Sequence, residues 1–238
     1  MRFSKRIYAL RDAVKNNETV ADIGTDHGYV PMLVVRDGIS PYAIMSDISA
    51  DSLSKAIDTF KAVNIPTTEE QFRVGDGLET ISAGEVDDVI IAGLGGHTIA
   101  NILDADIEKS RSFKKLILQP RKHSGALRVW LYTHGFKITD EILTSEGKFI
   151  CEIIVAVPTD EIAKDAPFDE EDIRWAYPET LKKADYKYLS KRVNWKLFSI
   201  EEQIENLRNS EKNHEEIISD LRDDYYYLEQ LLVIDEKA

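Results

Sequence analysis

The chain has 238 residues, 43% of them hydrophobic and 31% charged, which suits a globular protein with a full core and room for one appendage. No apolar run reaches the about 18 residues of a spanning helix, and no secretory signal is visible at the start. A single cysteine, Cys151, excludes an internal disulfide, argues against a cysteine-built zinc site and fits a reducing cytoplasm, while a net charge of −13 points away from a phosphate-rich partner.

Ser4 caps a predicted short helix with Ile7, Leu10 and Val14 on one face. Strands are expected at 19–23, 42–45, 71–74, 88–92 and 115–118, alternating with helices at 29–37, 49–63, 96–104 and 124–134. Continuous apolar strands separated by helices imply a parallel sheet covered on both faces. The segments 136–143 and 149–157, around Thr144-Ser145-Glu146-Gly147-Lys148, read as an antiparallel hairpin added to that sheet. Beyond Pro158 the pattern changes. An acidic stretch at 160–172 is followed by Leu189, Val193, Leu197, Ile200, Ile204 and Leu207, then by Ile218, Leu221, Tyr225, Leu228 and Leu232, with a polar break at 209–213. These spacings predict an antiparallel helical hairpin. The expected division is a sheet domain at 1–158 and a helical domain at 159–238.

The charge is partitioned. Residues 1–11 carry four basic side chains and no acid, 109–137 carry eight and no acid, and 182–196 carry six against Asp185. Those windows hold 18 of the 30 basic residues and one of the 43 acidic ones, so the chain total hides basic patches suited to an anionic partner.

The strand ends carry the chemistry. The first runs Val20-Ala21-Asp22-Ile23-Gly24-Thr25-Asp26-His27-Gly28-Tyr29, a glycine turn between strand and helix of the kind that brings a nucleotide-like ligand to backbone. Asp26 and His27 break the dinucleotide fingerprint, and a carboxylate there repels a pyrophosphate, so a ligand without phosphates is favoured. Asp47, with Ile48 after it, ends the second strand where it can accept both hydroxyls of a ribose. Gly75-Asp76-Gly77 ends the third, with Asp76 suited to an adenine amine and Gly77 leaving room for the ring. Gly93, Gly95 and Gly96 follow the fourth, where a tight turn needs only one glycine. The fifth delivers Gln119, Pro120, Arg121 and Lys122 to the same edge. No metal-ligand spacing is present.

Taken together, Asp-Ile-Gly-Thr-Asp-His-Gly-Tyr-Val-Pro at 22–31, Gly-Asp-Gly-Leu at 75–78, Ile-Ala-Gly-Leu-Gly-Gly at 91–96 and Leu-Gln-Pro at 118–120 resemble the TrmK family. These are bacterial S-adenosylmethionine-dependent methyltransferases of N1 of adenine 22 in tRNA. The resemblance implies an α/β, Rossmann-like class I methyltransferase sheet with an α-helical, coiled-coil-like C-terminal domain, in a cytoplasmic protein. It implies Asp26 as the catalytic residue. Asp22, Gly24, Asp47, Ile48, Asp76, Gly77 and Gly93 would hold the cofactor. Tyr29, Gly95, Gly96, Gln119, Pro120, Arg121, Lys122 and Arg128 would hold the tRNA. A monomer is slightly favoured, with no metal and no membrane. Gly28 stands where family members often have Ala, Asp47 where some have Glu, and Arg121 where Asn is common. Three readings compete. A nicotinamide-dependent oxidoreductase shares the sheet and Asp47 but is disfavoured by Asp26. A methyltransferase of another substrate, or a non-catalytic RNA- or partner-binding module, shares the rest.

Overall fold

The structure is a computed structural model that describes residues 2–161, 166–210 and 214–233. Two compact units divide it, Met1–Ala176 and Tyr177–Ala238. Among the described residues no helix is long and apolar enough to cross a membrane.

The first unit begins with α1 (Lys5–Asp12), capped by the Ser4 side chain accepting from the Ile7 amide. It is followed by β1 (Val20–Ile23), α2 (Tyr29–Arg36), β2 (Ala43–Asp47), α3 (Ala50–Ala62), β3 (Phe72–Val74), β4 (Asp88–Leu94), α4 (Gly96–Asp104), α5 (Ile107–Ser112), β5 (Lys115–Pro120), α6 (Ser124–Thr133), β6 (Phe136–Glu146), β7 (Phe149–Pro158) and a short α7 (Ile173–Ala176). The sheet order is β3-β2-β1-β4-β5-β7-β6. The first five pair in parallel, and β7 then runs antiparallel to both β5 and β6. Strand order reverses between β1 and β4, leaving a crevice at the carboxyl ends.

Period-2 alternation sorts the side chains between two cores. Ala21, Ile44, Val89, Ile91, Leu116 and Leu118 join the layer packed by Ile99, Leu103, Leu127 and Leu131. Val20, Met45, Ile90 and Ile117 join the other, with Ile7 and Leu10 of α1, Leu33 of α2 and Phe60 of α3. Asp22, Ala92 and Gln119 fall at the same parity as this second set, so they face the α1 side at the carboxyl edge.

The hairpin is longer than its pattern suggested. Strand pairing continues from Ser145↔Ile150 to Glu146↔Phe149, leaving Gly147 and Lys148 as the turn, with Gly147 at φ 58°. Because Leu118 pairs with Ile154, residues 145–150 project past the carboxyl end of β5. The short helix α5 was not foreseen. Its six residues carry too few apolar positions to register a period.

The division expected after residue 158 falls instead between Ala176 and Tyr177. The reason lies in α6: Arg128 Nη1 donates to the Trp175 carbonyl at 3.0 Å, and Gly125 leaves space that a Cβ would fill 3.2 Å from the Ala176 amide. These contacts keep the residues that follow the acidic segment with the sheet. Residues 162–165 of that segment lie outside the described residues.

In the second unit, α8 (Tyr186–Arg208) and α9 (Glu215–Leu231) pack together. Tyr186 Oη lies 3.5 Å from the Leu232 carbonyl and Tyr225 Oη 2.8 Å from Glu201 Oε1, which fixes an antiparallel pair. Leu189, Val193, Leu197, Ile200 and Ile204 are buried against Ile218, Leu228 and Leu231. Residues 211–213, within the expected polar break, lie outside the described residues.

The structure corrects the assignment of Arg128 to an RNA surface. It is 2% exposed, and its guanidinium donates to both Glu141 and Glu152, with the Glu141 contact at 2.6 Å. Other members of the 109–137 window are likewise occupied at the other end of the sheet, where Lys115 is buried between Glu18 at 2.6 Å and Asp88 at 3.0 Å. Lys114 pairs with Asp87 at 2.7 Å. Counting charge along the chain could not see these partners, because they come from strands distant in sequence. Arg128→Met would remove the guanidinium that two buried carboxylates share. Thermal or urea unfolding should show a loss of about 3–5 kcal/mol, whereas a surface RNA-binding arginine would leave stability unchanged.

Candidate active site

Beyond β1 the chain turns sharply. The Gly24 and Thr25 amides both donate to the Ser46 carbonyl, at 2.8 and 3.0 Å, which locks the turn against β2. Gly24 sits at φ +73° with nothing within 4 Å of where a Cβ would be, so this backbone is open to a ligand. Asp26 is also left-handed, at φ 47°, an uncommon conformation for a residue with a side chain and one that clusters at functional sites. Its amide donates to Asp47 Oδ2 at 3.2 Å, while Asp47 Oδ1 accepts from the Ser49 amide at 2.9 Å. The acid that ends β2 thus holds the turn that follows β1.

Two carboxylates in this turn have opposite electrostatics. Asp22 is buried, and burial pushes its carboxyl up to about 6, although Thr25 Oγ1 donates to it at 2.7 Å and Arg6 lends positive charge. Asp26 is half exposed. Burial raises its carboxyl, but Lys55 at 3.1 Å and His27 at 2.7 Å outweigh that and hold it below the usual range. Asp26 is therefore ionised at neutral pH, and Asp22 is a desolvated carboxylate that a nearby cation would stabilise.

A cavity of about 770 Å³ opens here. Its walls include Asp22, Gly24, Asp26 and Tyr29 from the first turn, Gly93 and Leu94 from β4, Arg121 beyond β5, Arg6 and Phe3 at the start of the chain, and Glu146 from the hairpin tip. Gly93, at φ +85°, would bring a Cβ 3.7 Å from Arg121 Nε, so the guanidinium lies over backbone. The Arg121 side chain makes no hydrogen bond or ion pair among the described residues, while its amide donates to the Leu94 carbonyl at 2.7 Å. The Tyr29 ring is held between His27, stacked at 5.1 Å, and Phe3, tilted at 5.1 Å.

The remaining expected residues divide by position. Asp47, Ile48, Asp76 and Gly77 sit on the neighbouring strand ends, outside this cavity. Ile48 is exposed, and the Gly75 amide donates to the Asp47 carbonyl at 3.1 Å, joining β3 to β2 at that edge. Gly77, at φ +50°, lies against Ile102. Lys122 is exposed nearby.

Gly95, Gly96, Gln119 and Pro120 do not line the cavity, contrary to expectation. A Cβ on Gly96 would fall 2.0 Å from the His123 carbonyl, so that glycine answers to the β5–α6 turn rather than to a flat ligand. Gln119 is fully buried. Its Oε1 accepts from Arg6 Nη1 at 3.2 Å and its Nε2 donates to the Pro120 carbonyl at 3.0 Å. Arg6 and Glu146 were missed because they lie 140 residues apart in sequence, yet Arg6 Nε meets Glu146 Oε1 at 3.0 Å. The cluster of basic residues at 1–11 was the one available signal for Arg6.

The sheet order, the glycine turn and the acids at three successive strand ends define a Rossmann-like methyltransferase. A family model for a methyltransferase domain matches residues 3–154. The tRNA (adenine(22)-N(1))-methyltransferase of Bacillus subtilis is 34% identical over 169 residues, covering 71% of this chain and 69% of that protein. The crystal structure of the B. subtilis m1A22 tRNA methyltransferase TrmK matches with a TM-score of 0.78 at 26% identity, covering 98% of this chain and 99% of that one. A Streptococcus pneumoniae relative solved in complex with S-adenosyl-L-methionine matches with a TM-score of 0.77 at 26% identity, covering 98% and 100%. The chain belongs to the TrmK family of tRNA methyltransferases.

The buried Asp22 gives a signed pH dependence. Its carboxyl titrates near 6 in the folded chain, above the ordinary 3.8, so the stability it contributes is complete below about 4 and is lost as pH rises through 6. Asp22→Asn should remove that loss and raise the stability of the ligand-free protein above pH 7 by on the order of 2 kcal/mol. Melting curves from pH 4 to 8 check this, and an unchanged slope in the variant would assign the titration elsewhere.

Proposed function

We propose that the protein transfers a methyl group from S-adenosyl-L-methionine to N1 of an adenine in tRNA, at the position corresponding to adenine 22. The observation that carries the reading is the convergence of Asp22, Gly24, Asp26, Gly93 and Arg121 on one cavity at the sheet's topological reversal. Family membership supports the substrate. The cofactor fits the residues present: open backbone at Gly24 and a buried carboxylate at Asp22 suited to a cationic ligand.

Asp22, Gly24 and Gly93 would border the methionine end, Asp47 the ribose, and Ile48, Asp76 and Gly77 the adenine. When bound, S-adenosyl-L-methionine supplies an electrophilic methyl group carried on a sulfonium. The protein's part is to align the target base with that group and to accommodate the positive charge that ends on the base. Asp26 suits the second task. Lys55 and His27 hold its carboxyl low, which makes it a weak proton acceptor and a stable anion, so it stabilises charge rather than acting as a general base. Tyr29 would border the base, while Arg121 and Lys122 would meet RNA phosphates. The sheet unit would carry the chemistry, and the helical unit would serve as an interaction appendage. The reading puts the activity in the cytoplasm, and nothing in the site requires a second copy of the chain.

Asp26→Ala should bind S-adenosyl-L-methionine with near wild-type affinity by calorimetry while losing about 100-fold or more in methyl transfer to tRNA. Full transfer by this variant would remove Asp26 from the chemistry. Stabilisation of the wild-type protein by NAD rather than by S-adenosyl-L-methionine would favour the oxidoreductase reading.

A further inference from the structure

One carboxylate in the cavity has no part in the scheme above. Glu146 closes β6 at the hairpin tip, beyond the carboxyl end of β5. Two groups from the start of the chain donate to the same oxygen: Ser4 Oγ at 3.1 Å and Arg6 Nε at 3.0 Å, both to Oε1. Arg6 is itself fixed from below, because its Nη1 reaches the buried Gln119 at 3.2 Å. Glu146 Oε2 accepts no hydrogen bond among the described residues and is not a buried atom, and the side chain is 41% exposed on the cavity wall. The mount is rigid at one oxygen and open at the other. Burial raises this carboxyl, but Arg6 and Ser4 outweigh it and keep it below the usual range, so it is ionised at neutral pH.

An ionised carboxylate accepts hydrogen bonds and donates none. At the 6-position beside N1, adenine offers the N6 amine as a donor, whereas guanine presents a carbonyl oxygen that a carboxylate repels. We propose that Glu146 is the specificity-determining residue for the target base, accepting from the adenine N6 amine through Oε2, and that Arg6 positions it. As N1 gains the methyl carbon the ring becomes cationic and its N6–H a stronger donor. The contact therefore tightens toward the transition state and supports turnover as well as binding. This inference rests on the function proposed above.

The test is a cycle that removes each side of the contact. Two tRNAs are compared that differ only at the target nucleoside, one carrying adenosine and the other purine riboside, which keeps N1 and lacks the N6 amine. With the wild-type protein, loss of the amine should lower kcat/KM about 10- to 100-fold, the range for a hydrogen bond to a charged group. With Glu146→Ala the two tRNAs should differ by less than about 3-fold, while S-adenosyl-L-methionine affinity by calorimetry stays at the wild-type value. Glu146→Gln keeps the shape and an acceptor oxygen, and should retain part of the discrimination even if the Ala variant folds poorly. For Arg6, the Ala variant should lower kcat more than it raises KM, with partial rescue by Arg6→Lys. Undiminished discrimination in both Glu146 variants would overturn the assignment alone. A wild-type protein inactive on the adenosine tRNA would overturn the functional reading beneath it.

Discussion

Parallel pairing of β1 with β2 and β4 is the constraint on which the rest depends. Val20 stands opposite both Ala43 and Asp88, so the three strands finish at one edge and their first free residues meet. The turn after β1 then has to close against β2, and it does so through two amides on the Ser46 carbonyl and a third on the Asp47 carboxylate. Asp26 accepts a left-handed backbone as part of that closure. The same edge receives Gly93 from β4 and Arg121 from the end of β5. A site with open backbone, one buried acid and one exposed acid is therefore a consequence of strand register.

Electrostatics divides the site along the same line. Asp22 lies inside the second core layer, where desolvation raises its carboxyl to about 6 and makes its anion costly until a cation sits beside it. Asp26 lies outside it, where Lys55 and His27 keep its proton off. Two aspartates four residues apart thus serve a cationic ligand in different ways. One is a desolvated anion that the ligand's charge relieves, and the other stands charged where positive charge develops on the substrate. Arg121 and Arg6 sit on the same wall with contrasting fates: the side chain of the first is unpartnered among the described residues, and that of the second is committed to Glu146 and Gln119.

Much of this was legible in the sequence. Continuous apolar runs such as Val89-Ile90-Ile91 marked buried parallel strands, and glycines and acids at their ends marked the edge that binds. What sequence could not supply was partnership across distance. Arg128 belongs to a basic window, but Glu141 and Glu152 enclose it because β6 and β7 pack beneath α6. Gly96 belongs to a glycine cluster that suggested a ligand, but the His123 carbonyl is what excludes a side chain there. Glu146 carried no signal as a hairpin residue, and it reaches the cavity only because strand pairing runs to Phe149. The charge partition held in part: Arg121 and Lys122 reach the functional edge, while Lys114, Lys115 and Arg128 are consumed by ion pairs.

The account stands on methyl transfer to one atom of one base. The most direct measurement is to incubate the protein with methyl-labelled S-adenosyl-L-methionine and unmodified tRNA, digest the RNA, and identify and map the labelled nucleoside. The account predicts label in 1-methyladenosine alone, at a single position corresponding to adenine 22. Label in another nucleoside, or tRNA left unlabelled under conditions where the protein binds the methyl donor, would contradict it.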